Sequence, residues 1–265
     1  MSQKLSVVII TLNEELNIGR CLQAAWQVAD EILVVDSYST DNTKQICLDT
    51  GANFIEHEFE GYIQQKNFAI SKSGYDLVLS IDADEVLSNE LITSILKVKQ
   101  NPIYSSYSIN RMSHYVDRFI RHGHWYPDIK IRLFKKDVGR WTGKNPHDQF
   151  VLTNDGKTVK LKGIIYHYTF NSIFEHLAQA NKFSEIGSKQ FDNQPSLFLA
   201  LKAIFSPLWG FIFGYIGRLG FLDGWRGLTI GIIASTETFL KYTKALTQRY
   251  MVSDELQEMQ ILVFP

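Results

Sequence analysis

The sequence predicts an α/β fold: a mostly parallel sheet flanked by helices, followed by a helical C-terminal extension. Three observations carry that expectation. Short apolar runs alternate with helical patterns over residues 1–100. Strand-like alternation rich in aromatics and histidines takes over across 104–168. From Asn171 onward the pattern is helical and, in places, very apolar. Strands alternating with helices of this length indicate βαβ units and a parallel sheet. The chain has 265 residues, 45% of them hydrophobic, enough for one sizeable domain with an appendage. The expected division is a domain over 1–170, in halves 1–100 and 101–170, and a helical region over 171–265.

Leu5–Thr11 is the first buried strand. Its apolar run is too short for a secretory signal, and Asn13 and Glu14 follow at once. Further strands are expected at Glu31–Val35, Ala52–Ile55 and Asp76–Ile81. Helices are expected at Leu16–Val28, Asn42–Thr50, Tyr62–Lys72 and Asn89–Lys99. Tyr104–Val116 and Ile129–Lys135 then alternate like strands. Asn154-Asp155-Gly156-Lys157 is a turn signal and predicts a hairpin between Gln149–Leu152 and Thr158–Ile165.

Composition excludes several classes. A net charge of -1 gives no basic excess to neutralise nucleic-acid phosphates. Cys21 and Cys47 sit in helical, apolar surroundings without CxxC spacing, so buried thiols in a reducing compartment are expected. No run reaches the 18 apolar residues of a clear membrane span, which places the catalytic part in the cytoplasm.

Parallel sheets bind ligands outside the carboxyl ends of their strands. That directs attention to Thr11–Glu15, Asp36–Thr43 and Asp82–Glu85. The last is the most informative: the apolar strand DLVLSI ends in Asp82, Asp84 and Glu85. Clustered like charges need a positive partner. Hard divalent cations take oxygen ligands of this kind and keep positions open for phosphate oxygens. A solvated acidic turn capping the helix that starts near Ser88 is the plainer alternative, and the position after a buried strand speaks against it. Asp36, at a strand tip, is placed to accept from a nucleobase N–H, whereas Asp41 suits helix capping. Lys66, on a helix before the carboxylate strand, can reach a phosphate as a point charge.

Four motifs in order, SVVIITLNEE, VVDSYSTDNT, QKNFA and SIDADE, resemble the donor-binding half of glycosyltransferase family 2, with the GT-A fold. YPDIKIRLFKK, WTGKNPHDQF, IIYHY and GFLDGWRG resemble its branch of lipopolysaccharide inner-core β-1,4-glucosyltransferases. The resemblance implies a UDP-sugar donor, glucose by branch, Mg²⁺ or Mn²⁺, and a heptose hydroxyl on a lipid-linked glycan at the inner face of the cytoplasmic membrane. It implies that Thr11 and Asn13 line the nucleotide pocket and that Asp36 contacts uracil or ribose. Lys66 would lie near the diphosphate. Asp82 and Asp84 would serve nucleotide-sugar and metal, Asp84 as the direct ligand. Inversion needs one base for the acceptor hydroxyl. Asp148 is the candidate, where the branch looks to carry Glu, and its neighbour His147 is the rival. His167 is either a further metal ligand or a packed strand histidine. Arg132 would contact the diphosphate or an acceptor phosphate, or pair with a surface acid. His122, His124 and Trp125 would share a loop suited to sugar stacking.

The C-terminal region carries aromatics from Phe198 to Trp225 with basic residues among them, a pattern suited to a membrane interface. Pro207 interrupts one helix, so neither apolar helix is expected to span. Packing on the domain, or dimerisation, would use the same surface. Three rival activities remain: a nucleotidyltransferase, a transferase charging polyprenyl phosphate, and a non-catalytic nucleotide-sugar-binding protein. The first wants a Gly-rich, Arg-bearing loop where this chain has TLNEELNIG. The second would need no base, because its acceptor is already ionised. The third is opposed by Asp36, Lys66, Asp82 and Asp84 occurring together.

Overall fold

The computed structural model describes residues 2–144, 147–153, 156–191 and 194–263, without the side chains of 144, 147 and 249 onward. The chain forms two compact units: Met1–His114 with Tyr126–Thr169, and Tyr115–Trp125 with Phe170–Pro265. In chain order the elements begin β1 (Leu5–Thr11), α1 (Ile18–Ala25), β2 (Glu31–Asp36), α2 (Thr43–Asp49), β3 (Asn53–Glu56) and α3 (Tyr62–Lys72). There follow β4 (Leu77–Asp82), β5 (Glu85–Leu87), α4 (Asn89–Gln100), β6 (Ser106–Tyr115), β7 (Arg118–Phe119) and β8 (Asp128–Lys135). The rest are β9 (Gly139–Lys144), β10 (His147–Leu152), β11 (Thr158–Phe170), α5 (Ile173–Ser188), α6 (Ser196–Phe211) and α7 (Trp225–Val263).

The main sheet runs in the order β3-β2-β1-β4-β8-β6-β11-β5. Its first four strands are parallel, and β8 joins antiparallel to β4. The middles of β1, β2 and β4 are nearly continuous apolar runs because both faces of the sheet are covered there. In β1, Leu5, Val7 and Ile9 pack with Ile18 and Leu22 of α1 and with Leu91 and Ile95 of α4. Val8 points the other way, into a cluster with Leu33, Val35, Ala69 and Phe134. This two-sided burial fixes the register, since a slip of one residue would exchange the two clusters. Cys21 and Cys47 are buried and unbridged, as expected.

Two expectations fail here. The hairpin between Gln149–Leu152 and Thr158–Ile165 does not form; its turn residues Asn154 and Asp155 lie outside the described residues. Instead β10 pairs antiparallel with β9 in a separate sheet, and β11 joins the main one. The cause is burial on opposite sides of the main sheet. Phe150 of β10 stacks on Phe134 at 3.7 Å, whereas Ile165 of β11 packs in the cluster with Leu5 and Leu91. The second failure concerns Pro207. α6 continues through it into a π-helical turn, Ile212–Gly217, making a 22-residue segment long and apolar enough to cross a membrane by length and composition. Proline deletes one hydrogen bond and crowds one carbonyl, but the turns on either side can still close.

In the second unit α6 and α7 form an antiparallel hairpin. Ser235 donates to the Pro207 carbonyl at 3.1 Å, and Leu199 and Ala203 pack with Tyr242 and Ala245. Residues 115–125 belong to this unit. Asp223 accepts from the backbone N–H groups of Arg121 and His122 at 3.1 and 2.8 Å, and Arg226 clasps Asp117. His124 meets the Gly210 carbonyl at 2.8 Å, and Trp125 packs with Tyr115, Phe170 and His176. His122, His124 and Trp125 are thus anchored within this unit, with His124 exposed and the other two half-buried.

Two stability effects follow. Gly163 holds φ +89°, and a Cβ there would stand 2.2 Å from the Leu91 backbone nitrogen. Gly163→Ala should cost about 1–3 kcal/mol, seen as a lower urea midpoint. His176 is buried against Phe170 and the Tyr115 hydroxyl, and burial pushes its pKa down to about 4. Its unfolded value is about 6.5, so the folded state excludes a proton that the unfolded state binds. Stability should be intact above pH 6.5 or so and fall as pH drops toward 4, with a shallower fall in His176→Gln.

Candidate active site

The carboxyl ends of the parallel strands bring the expected residues together. Thr11 stands opposite Asp36 across β1 and β2, and Ile10 opposite Asp82 across β1 and β4. Thr11 is buried, and its hydroxyl lacks a hydrogen-bond partner in the described structure. Asp36 is also buried; it accepts from the Ser39 N–H at 2.7 Å and from the Ser39 hydroxyl. Asn13 adopts φ +54°. Its N–H donates to Ser39 Oγ, and its Oδ1 accepts from Thr40 N–H, both at 2.8 Å. The β1 and β2 loops are thereby laced into one wall.

Asp82 ends β4. Lys66 Nζ, from α3, lies 3.2 Å from Asp82 Oδ1 and 2.8 Å from Asp148 Oδ2 on β10. Only the Asp148 contact has hydrogen-bond geometry, since Asp82 Oδ1 makes none. Lys66 is 4% exposed and packs 4.5 Å from the centre of the Trp141 ring, so both carboxylates share a desolvated ammonium. Burial alone would raise the Asp82 pKa; the facing charges of Lys66 and Arg132 reverse that and hold it well below the usual carboxylate range. Asn67 fixes the position of α3 here. Its side chain donates to the Trp141 carbonyl at 2.9 Å and accepts from the Trp141 N–H at 3.0 Å.

Arg132 is not at a surface. It is 2% exposed, and its Nη2 lies 2.8 Å from Glu85 and 3.3 Å from Asp82. Glu85 is fully buried. It takes Arg111 at 3.2 Å as well, and its second oxygen accepts the Asp82 N–H at 2.9 Å. Glu85 is therefore a structural counter-ion, engaged by two arginines and a backbone N–H. Arg111 also binds Asp128, its direct cross-strand neighbour between β6 and β8, at 2.8 Å.

Asp84 points elsewhere. Its Oδ2 lies 2.9 Å from His167 Nε2, and its backbone carbonyl accepts Tyr168 N–H at 2.9 Å. His167 Nδ1 faces the hydroxyls of Thr169 at 2.9 Å and Ser113 at 3.3 Å. Either hydroxyl can accept an Nδ1 proton and leave the Nε2 lone pair toward the carboxylate. Two ligand atoms bound at right angles to a hard cation at about 2.1 Å are about 3.0 Å apart. The Asp84–His167 pair thus fits one edge of such a coordination shell. Among the described residues no group of three His, Cys, Asp or Glu is arranged around a common centre.

Glu14 lies in the Thr11–Glu15 segment, but nothing in the sequence singles it out within that loop. Burial pushes its pKa up to about 7; a hydrogen bond from Asn17 opposes this and the charge of Asp84 adds to it. The side chain of His147 lies outside the described residues; its backbone pairs with Lys144 beside Asp148.

The chain matches the family model described as Glycosyl transferase family 2 over residues 6–156. An uncharacterized glycosyltransferase of Rickettsia typhi is 33% identical over 254 residues, 91% of this chain and 86% of that protein. The lipopolysaccharide core biosynthesis glycosyltransferase LpsC of Rhizobium meliloti is 26% identical over 271 residues, 95% of this chain and 97% of its own. Among solved structures, S. aureus TarS 1-349 aligns over 94% of this chain and 91% of its own, at 16% identity and a TM-score of 0.46.

The division of labour among the acids can be tested without substrate. Glu85→Ala would take a carboxylate from two buried arginines, leaving Arg132 with Asp82 and Arg111 with Asp128, and should cost about 3–5 kcal/mol in urea denaturation. Asp84→Asn, on a partly exposed side chain, should cost about 1 kcal/mol or less. Equal losses would refute the distinction.

Proposed function

Because this chain belongs to glycosyltransferase family 2, we propose that it is an inverting transferase moving a sugar, glucose from UDP-glucose, to a hydroxyl of a lipopolysaccharide core or related lipid-linked glycan at the inner face of the cytoplasmic membrane. The observation that carries the reading is the shared cation: Lys66 ties Asp82, at the tip of β4, to Asp148 on the separate β9–β10 sheet. A donor-side carboxylate and a candidate base are held one ammonium apart. The relative named for lipopolysaccharide core biosynthesis supports the choice of acceptor.

In this reading Thr11, Asn13 and Asp36 bind the nucleoside, and the Thr11 hydroxyl finds there the partner it otherwise lacks. Asp82, with Lys66 and Arg132 behind it, faces the sugar and diphosphate. Asp84 and His167 would hold Mg²⁺ or Mn²⁺, which when bound would offset the negative charge of the departing diphosphate. The charge count supports this. Asp82, Glu85, Asp128 and Asp148 are set against Lys66, Arg111, Arg132 and the neighbouring Lys130, which leaves the charge of Asp84 with the imidazole of His167 opposite it. Asp148 takes the proton of the acceptor hydroxyl. The freed oxygen bonds to the anomeric carbon as the bond to the diphosphate oxygen breaks, and the nucleoside diphosphate leaves with that electron pair. A single displacement of this kind inverts the carbon. Lys66 holds one oxygen of Asp148, leaving the other for the acceptor.

A panel of nucleotide-sugars with Mn²⁺, read by nucleoside diphosphate release, tests the donor. Asp36→Ala should raise the donor KM more than it lowers kcat, because a nucleobase contact is largely uniform binding. Asp148→Asn should leave donor binding nearly unchanged and cut turnover about 10²–10⁴-fold, with Asp148→Glu far milder. A fully active Asp148→Asn beside an inactive His147→Ala would move the role to His147. Full activity in EDTA, or in Asp84→Ala, would remove the metal from the scheme.

A further inference from the structure

We infer that the outer face of α6 and the turn after it lie in the plane of one leaflet of a membrane with anionic headgroups, and do not cross it. The inference deepens the proposed membrane-borne acceptor but is argued from the second unit alone. Along α6 and its π-helical turn, Leu197, Leu201, Phe205, Trp209, Phe213 and Ile216 are all exposed. Their spacing of four, then three, makes one continuous stripe on a helical surface. The opposite side, Leu199, Ala203 and Pro207, is buried toward α7. The stripe is therefore not the unused core of a soluble bundle, because the core side is already filled. Phe221, Leu222 and Trp225 extend it past the turn.

Charge indicates what covers the stripe. Arg118, Arg121, Lys202 and Arg218 are exposed in the same unit. The acids of segments 115–125 and 196–232 are two, and both are engaged: Asp117 by Arg226, and Asp223 by the N–H groups it caps. Lys202 lies 5.6 Å from the centre of the exposed Phe198 ring, and Arg218 lies 5.9 Å from that of Phe213. Aromatic rings with cations at their rims suit the boundary between acyl chains and headgroups. A second copy of this chain laid stripe to stripe would add cations to cations.

Length alone would permit a span, since 22 residues rise about 33 Å. The neighbours of α6 forbid it. α7 returns along it carrying Glu237, Lys241 and Lys244, and Lys244 ties α7 to Asn181, Ser184 and Glu185 of α5. Carrying that pair of helices into hydrocarbon would cost about 2.5–3.5 kcal/mol for each charged residue at the centre. Laying the stripe on one leaflet leaves every charge in water or among headgroups.

The test is flotation of the full chain with phosphatidylcholine vesicles, with and without phosphatidylglycerol. Binding should require the anionic lipid, weaken with salt, and be reversed by alkaline carbonate. Trp209→Ser with Phe213→Ser should abolish it. Lys202→Gln and Arg218→Gln should each weaken binding to mixed vesicles roughly fivefold, the factor that about 1 kcal/mol represents. Circular dichroism and the urea midpoint of each variant confirm folding. Absence of vesicle binding, a stripe-dependent dimer in sedimentation, or resistance to carbonate would each overturn the inference. UDP-glucose hydrolysis is measured in parallel. Vesicle binding without hydrolysis strikes the transfer reading alone, and hydrolysis without vesicle binding strikes this one alone.

Discussion

The site depends on two cations that have left water. Lys66 and Arg132 are almost wholly buried, and a lone ion in that position would cost several kcal/mol. Each is tolerable only because carboxylates from different elements converge on it. Lys66 draws Asp82 from β4 and Asp148 from β10; Arg132 draws Asp82 again and Glu85 from β5. Asp82 belongs to both sets and so couples the parallel half of the sheet to the β9–β10 pair. Trp141 lies beside both cations, its ring centre 4.5 Å from Lys66 Nζ and 5.5 Å from Arg132 Cζ. The side chains at the tip of β4 are thus preorganised by charge before any ligand arrives.

The remaining parts of the first unit are arranged around that constraint. Asn67 clamps the Trp141 backbone from the residue next to Lys66, so the distance from α3 to β9 is set by two hydrogen bonds. The β1 and β2 loops are linked through Ser39, which satisfies Asp36 and meets the Asn13 N–H. The acids at the strand ends consequently see different surroundings. Asp36 is held by neutral donors, Asp82 by two full positive charges, and Asp84 by an imidazole.

Much of this was legible in the sequence because it is local. β1, α3 and the N-terminus of α4 stand where apolar periodicity and the Ser88 cap put them, and the strand-end rule led directly to Thr11, Asp36 and Asp82. What escaped was long-range pairing. Nothing near Arg111 in the sequence marks it as the neighbour of Asp128 and Glu85; that follows only from the β6–β8 register. Gln149–Leu152 and Thr158–Ile165 look like a hairpin because a turn signal separates them, yet their apolar side chains belong on opposite sides of one sheet. Local turn chemistry lost to tertiary burial. Glu14 is a similar case, an ordinary loop acid until burial raises its pKa.

The three carboxylates of SIDADE show most clearly how backbone geometry sorts residues of one kind. The chain leaves β4 at Asp82, turns within two residues, and enters β5 at Glu85, which pairs against His167 of β11. That reversal sends the Glu85 side chain back beneath Asp82, where it accepts the Asp82 N–H and meets two arginines. Asp84, in the turn itself, cannot follow, and its carboxylate faces His167 instead. One acid becomes a buried counter-ion and its neighbour the partly exposed partner of an imidazole. Charge count in the sequence could not separate them, because the separation comes from the direction of the chain. Two residues of turn decide which carboxylate meets the buried arginines and which faces the histidine.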